Sequence, residues 1–211
     1  MGWRLPTGSP EAIPGGPEAV VLLLDVSGSM ASSDYPPNRL EAMKEAAVKF
    51  IDAKRQISPE DMVGVITFGS YEEICSPLVV VREGYHELVS ATRAIETNGS
   101  TEIVDGLKEA GRALSTGWLP SSTANRRIIV LSDGGFYGQG NPVKVAASLK
   151  NEGIVVECVG IGEREALDED TLREMASVYD GKVLYRWIGD KENLERHFIE
   201  MSSGLAIRKK E

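Results

Sequence analysis

Residues 19–30 read AVVLLLDVSGSM. The apolar run from Ala19 to Leu24 has neither the three-four spacing of a surface helix nor the alternation of a half-exposed strand. A run of this kind that ends in an acid reads as a central strand buried on both faces. At its carboxyl end, Asp25, Ser27 and Ser29 place one carboxylate and two hydroxyls at alternate positions of a tight turn, where all three can face one point.

Downstream, helical and strand-like patterns alternate. Residues 39–54 (RLEAMKEAAVKFIDAK) repeat apolar side chains at Leu40, Met43, Ala47, Phe50 and Ile51, the stripe of an amphipathic helix. Residues 62–68 (MVGVITF) read as the next strand. The apolar stretch at 74–81 follows too soon for a helical crossover and is expected to pair antiparallel at an edge. Helices at 84–96 and 102–115 precede a strand at 127–131, and a helix near 142–151 precedes a strand at 154–159. A helix near 168–178 then leads to a strand at 182–185, and a last helix occupies 191–202. The expected fold is a three-layer, doubly wound α/β domain over residues 18–203, its sheet mostly parallel with one antiparallel edge strand and helices on both faces. The Pro- and Gly-rich residues 1–17 are expected to form an extended arm, and 204–211 a short tail.

Composition narrows the function. With 23 Lys and Arg against 32 Asp and Glu, the net charge is −9, which disfavours a phosphate backbone as partner. No stretch reaches the about 20 apolar residues of a membrane span, and no signal-peptide pattern is visible at the start, so the expected location is cytoplasmic. Cys75 and Cys158 are expected to be buried free thiols. The only histidines, His86 and His197, are expected on helix surfaces and exclude a histidine-rich metal site. The acids Asp168, Glu169 and Asp170 suit a helix start.

Oxygen ligands come from three places on the same expected rim. Beside Asp25, Ser27 and Ser29, the turn NGSTE at 98–102 offers another hydroxyl, and Asp133 follows the apolar strand before Gly134 and Gly135. Carboxylates and hydroxyls are hard ligands suited to Mg²⁺ or Mn²⁺, with Ca²⁺ as an alternative. Competing chemistries lack their residues. A phosphatase built on Asp25 needs a second acid where Ser27 stands. No GKS or GKT phosphate loop occurs, no GxGxxG opens the first helix, Gly160-Ile161-Gly162 is only a fragment of that fingerprint, and no GxSxG elbow is present.

In these three segments the sequence resembles the von Willebrand factor A domain family, with its Rossmann-like fold, over about residues 18–203. Asp25-x-Ser27-x-Ser29 is similar to the family's first metal-site segment, Thr101 in NGSTEIVDGL to its second, and Asp133 in VLSDGG to its third. Ser100, where the family often carries glycine, is a small departure. The resemblance implies a metal-ion-dependent adhesion site in which Ser27, Ser29 and Thr101 touch the cation and Asp25 and Asp133 bind it directly or through water. It implies a non-enzymatic protein-binding module whose partner presents an Asp or Glu carboxylate to the ion. Within the family, intracellular members often serve ATPase or signalling complexes, and the alternative is an adhesion domain cut from a surface protein. Tyr35, Tyr71, Phe136 and Tyr137 are candidate rim residues, while the intervening ASSDYPPN, with Asp34 and Tyr35, is otherwise expected to be a solvated loop. The acids other than Asp25 and Asp133 are expected mostly on solvated helix faces.

Overall fold

The buried run at 19–24 becomes the middle of a six-stranded sheet. The computed structural model describes residues 16–115, 119–120, 123, 125–136 and 138–204. Four parallel strands form the centre: β1 (Glu18–Asp25), β2 (Met62–Phe68), β4 (Asn125–Ser132) and β5 (Ile154–Gly160). β3 (Glu72–Val80) pairs antiparallel with β2 at one edge, and the short β8 (Tyr185–Trp187) pairs parallel with β5 at the other. The order is β3-β2-β1-β4-β5-β8. The arm and tail expected at the two ends lie outside the described residues, apart from 16–17 and 204.

Both faces of β1 are covered, which is why its apolar run is unbroken. Val20, Leu22 and Leu24 pack under α1 (Arg39–Ile57), α2 (Val81–Arg93) and α6 (Lys191–Ser202). Ala19, Val21 and Leu23 pack under α3 (Ile103–Ala113), α4 (Pro142–Asn151) and α5 (Glu169–Met175). Each large aliphatic residue taken out of water here contributes about 1.5–3 kcal/mol. α2 and α3 are neighbours in sequence yet lie on opposite faces, so residues 94–102 must pass over the carboxyl ends of the strands. That crossing carries Thr101 to the rim.

Several expectations need correction. The segment read as one strand at 182–185 is split: β7 (Lys182–Val183) turns back on β6 (Val178–Tyr179) as a small hairpin, and only residues 185–187 join the main sheet. The helix expected to run to 178 ends at Met175, because Ser177 is bonded through backbone and hydroxyl to Val156 of β5 and draws the chain into extended form. Its start is as expected, with Asp168 accepting from the Thr171 amide. His197 is buried, not on the surface, beside Arg186, whereas His86 is exposed. Both cysteines are free; Cys158 is fully buried as expected, while Cys75, expected to be buried, is half-buried in the edge strand.

The amino ends of the strands hold a buried ionic cluster, so not every acid outside the proposed site is solvated. Lys54 Nζ lies 2.6 Å from Glu18 and 2.5 Å from Asp61, while Arg127 pairs with Glu18 at 2.9 Å and Glu157 at 3.1 Å. Arg127 also donates to the Met201 carbonyl near the end of α6. In this cluster each carboxylate has a cationic partner.

Candidate metal centre

The opposite rim is assembled by the loops that leave β1, β2 and β4 and by the 94–102 crossing, and backbone bonds set their spacing. Gly28 donates to the Gly99 carbonyl at 2.8 Å, Asn98 to the Val26 carbonyl, and Glu102 to the Gly69 carbonyl. The chain can approach this closely because residue 69 is glycine: a Cβ there would lie 2.0 Å from the Asn98 carbonyl oxygen. These contacts press the Thr101 loop against the turn carrying Ser27 and Ser29, a short 3₁₀ turn at Gly28–Ala31. Thr101 itself is buried.

The side chains from β1 and β4 form a chain of bonds. Asp25, fully buried, accepts from the Ser27 amide at 2.9 Å and from Ser132 Oγ at 2.6 Å. Ser29 Oγ lies 3.1 Å from Ser27 Oγ and donates to Asp133 Oδ1 at 2.8 Å. The structure thus gathers Asp25, Ser27, Ser29 and Asp133 directly and brings the Thr101 loop alongside. Burial pushes the Asp25 carboxyl up to about 6, the hydrogen bonds from Ser132 and Ser27 hold it back in part, and the neighbouring Asp133 charge adds to the rise. Among the described residues no Lys, Arg or His pairs with Asp25.

This donor set fits a hard cation. A buried carboxylate without a positive partner is costly, and a cation nearby would remove that cost. The Ser29 hydroxyl spends its proton on Asp133, so Ser27 donates in the bond between the two serines and one lone pair of the Ser29 oxygen is left to face an ion. Among the described residues no three His, Cys, Asp or Glu side chains cluster as a metal cage, so any ion held here relies on the hydroxyls.

The rim differs from expectation at several points. Tyr35 is buried, not part of a binding surface: its hydroxyl donates to the Ile188 carbonyl and accepts from the Gly162 amide. Phe136 packs partly against the core on the α3 side, Tyr71 is exposed, and Tyr137 lies outside the described residues. Nor is residues 31–38 a merely solvated loop. Asp34 receives both Nε and Nη2 of Arg39 at 2.8 Å each, and Arg39 Nη1 donates to Asp133 Oδ2 at 2.8 Å. The paired guanidinium holds the Asp34 carboxyl below the usual range. Sequence reasoning read Arg39 only as the start of a helix. The available signal was a cation in the first helical turn, where the dipole disfavours it.

A family model described as von Willebrand factor type A domain matches residues 20–136. A UPF0353 protein of Mycolicibacterium paratuberculosis (strain ATCC BAA-968 / K-10) is 27% identical over 188 residues, which cover 79% of this chain and 54% of that protein. The 26S proteasome regulatory subunit rpn10 of Schizosaccharomyces pombe is 27% identical over 149 residues, covering 69% of this chain and 59% of that protein. The chain therefore spans about half to three-fifths of the length of these relatives. Among solved structures, proximal thread matrix protein 1 from the mussel byssus, described with a zinc-occupied MIDAS motif, superposes with a TM-score of 0.72 at 19% identity, covering 90% of this chain and 48% of that one. At that identity the likeness concerns the fold.

Proposed function

Because the chain belongs to the von Willebrand factor type A domain family, we propose that its carboxyl rim is a metal-ion-dependent adhesion site that binds a protein partner through an Asp or Glu carboxylate. The observation that carries this reading is Asp25, a fully buried carboxylate with no cationic side chain among the described residues, set beside an ordered pair of serine hydroxyls. A bound divalent cation, Mg²⁺ or Mn²⁺, would supply a positive centre that a partner's carboxylate can complete.

The chain's own residues prepare that centre. Ser27, Ser29 and Thr101 would offer hydroxyl oxygens, with Ser29 held by its bond to Asp133. Asp25 and Asp133 would neutralise the ion, and Ser132 fixes the orientation of Asp25. Exposed Tyr71 stands on a neighbouring loop and would add apolar contact around the polar centre. The chain's net charge of −9 works against any acidic partner, so capture should depend on the ion. No step of bond making or breaking is assigned: Ser27 occupies the position where a phosphatase would need its second acid.

A finer reading makes the module an adaptor in an intracellular assembly. Relatives named as proteasome subunits support it. Among the described residues no helix is long and apolar enough to cross a membrane.

The test is Mn²⁺ binding measured by electron paramagnetic resonance and calorimetry, with Mg²⁺ and Zn²⁺ as competitors. Ser27→Ala combined with Ser29→Ala should weaken binding by at least about 100-fold, the upper end of losses seen when groups supporting a metal are removed. The circular dichroism spectrum should not change. Equal Mn²⁺ uptake by the double variant would overturn the proposal.

A further inference from the structure

Arg39 is the least expected member of the rim. It is the first residue of α1, a position where a positive charge opposes the helix dipole, and its side chain is nevertheless only 9% exposed. Burial of a guanidinium requires partners, and it has two carboxylates: Asp34 takes one edge of the fork, Asp133 the remaining nitrogen. The guanidinium also has a prepared seat. Gly162, just beyond the end of β5, holds φ at +85°, and a Cβ there would come within 2.6 Å of Arg39 Cζ and 2.7 Å of Nη1. The seat is fixed in turn, since the Gly162 amide donates to Tyr35 and its carbonyl accepts from Trp187 Nε1. Loops from β1, β4 and β5 thus converge on one cation whose charge lies beside the proposed metal ligands.

We infer that Arg39 is a positioning residue that acts as the resident counter-cation of this site, holding Asp133 in place for Ser29 and weakening the site's grip on a divalent ion in return. This inference rests on the proposed metal site. Asp133 divides its oxygens, Oδ1 toward Ser29 and Oδ2 toward Arg39. The guanidinium fixes that division without a metal, so the hydroxyl pair is ordered before any ion arrives. Its fixed positive charge then repels the ion it has prepared for. Affinity is traded for a site whose shape does not depend on occupancy. Asp34 tunes the trade, because it shares the guanidinium with Asp133.

The test compares Mn²⁺ affinity, by electron paramagnetic resonance, and thermal midpoint in EDTA for the wild type, Arg39→Met, Asp34→Asn and the pair Arg39→Met with Asp133→Asn. Arg39→Met should bind Mn²⁺ at least about tenfold more tightly, the gain expected from losing one unit charge roughly 6 Å from a divalent ion even in a water-like dielectric, and its midpoint in EDTA should fall. Adding Asp133→Asn should restore part of that midpoint, because the uncompensated anion is then gone. Asp34→Asn, which alters a partly exposed side chain and should leave the fold intact, should weaken Mn²⁺ binding severalfold by giving Asp133 the larger share of the guanidinium. Unchanged or weaker binding in Arg39→Met, or no restoration by Asp133→Asn, overturns the counter-cation role. If Arg39→Met does not fold, unchanged or tighter binding in Asp34→Asn overturns it. Absence of Mn²⁺ binding by the wild type overturns the metal reading instead, and the restoration test still decides whether Arg39 serves Asp133.

Discussion

The two ends of the sheet bury their charges in opposite ways. At the amino end, Glu18, Asp61 and Glu157 are each paired with Lys54 or Arg127. At the carboxyl end, Asp25 is held by the Ser27 amide and the Ser132 hydroxyl with no cationic partner among the described residues, and Asp133 shares one guanidinium with Asp34. The first cluster is closed by its own side chains. The second is short of positive charge, and burial, with the Asp133 charge beside it, raises the Asp25 carboxyl. On the proposed reading, the difference separates burial that serves the fold from burial that a bound cation would complete.

The contrast can be broken most forcefully at the closed end. Lys54→Met leaves Asp61 without its cation and strips Glu18 of one of two, and should cost about 3–5 kcal/mol in denaturant unfolding. The loss should be the same in EDTA and in Mg²⁺, since the cluster lies at the other end of the strands. A loss that Mg²⁺ repairs would mean the two clusters are coupled. A smaller effect is expected from Ser132→Ala, which removes the hydroxyl bonded to Asp25. It should cost about 1–2 kcal/mol and, unlike Lys54→Met, should also weaken Mn²⁺ binding. Stability lost with metal affinity unchanged would place Asp25 among the structural charges. The least effect belongs to Glu169, whose carboxyl is drawn down to about 2 by hydrogen bonds from Arg164 and Arg173 on the open surface. The folded carboxyl is the stronger acid, so its contribution is present above the ordinary carboxylate range and disappears as pH falls toward 2. Glu169→Gln should shift the thermal midpoint less than either buried change, and about 1 M salt should erase the shift. A shift that survives salt would show that exposure, rather than the count of partners, is the wrong measure of an ion pair here.

The sequence makes some of this legible and conceals the rest for physical reasons. The unbroken run at 19–24 reveals a strand covered on both sides, because a fully buried strand has no face to mark with polar residues. The hydroxyl and acid motifs stand at strand ends, where local pattern locates them. Arg39 is hidden because its meaning depends on Asp133, far along the chain, and an arginine opening a helical stripe looks like a solvated end. Glu18 and Glu157 mislead for the same reason: a charged residue in a strand suggests exposure unless its distant partner is known. Tyr35 stands in a segment rich in Ser and Pro, and only the approach of Gly162 and Ile188 turns it inward. The split at 182–185 was likewise beyond local reading, since β7 pairs with β6 while the residues after it join β5.

The bonds that fix the rim loops to one another, from Gly28 to Gly99, from Asn98 to Val26 and from Glu102 to Gly69, run between main-chain atoms. Scaffold and chemistry are therefore written in separate alphabets. Replacing Ser27 or Thr101 would alter what the proposed site can hold while leaving these main-chain bonds in place, whereas Ser29 also ties its turn to Asp133. Descendants of this chain can gain, lose or exchange a ligand one codon at a time and keep the platform on which the next one is tried.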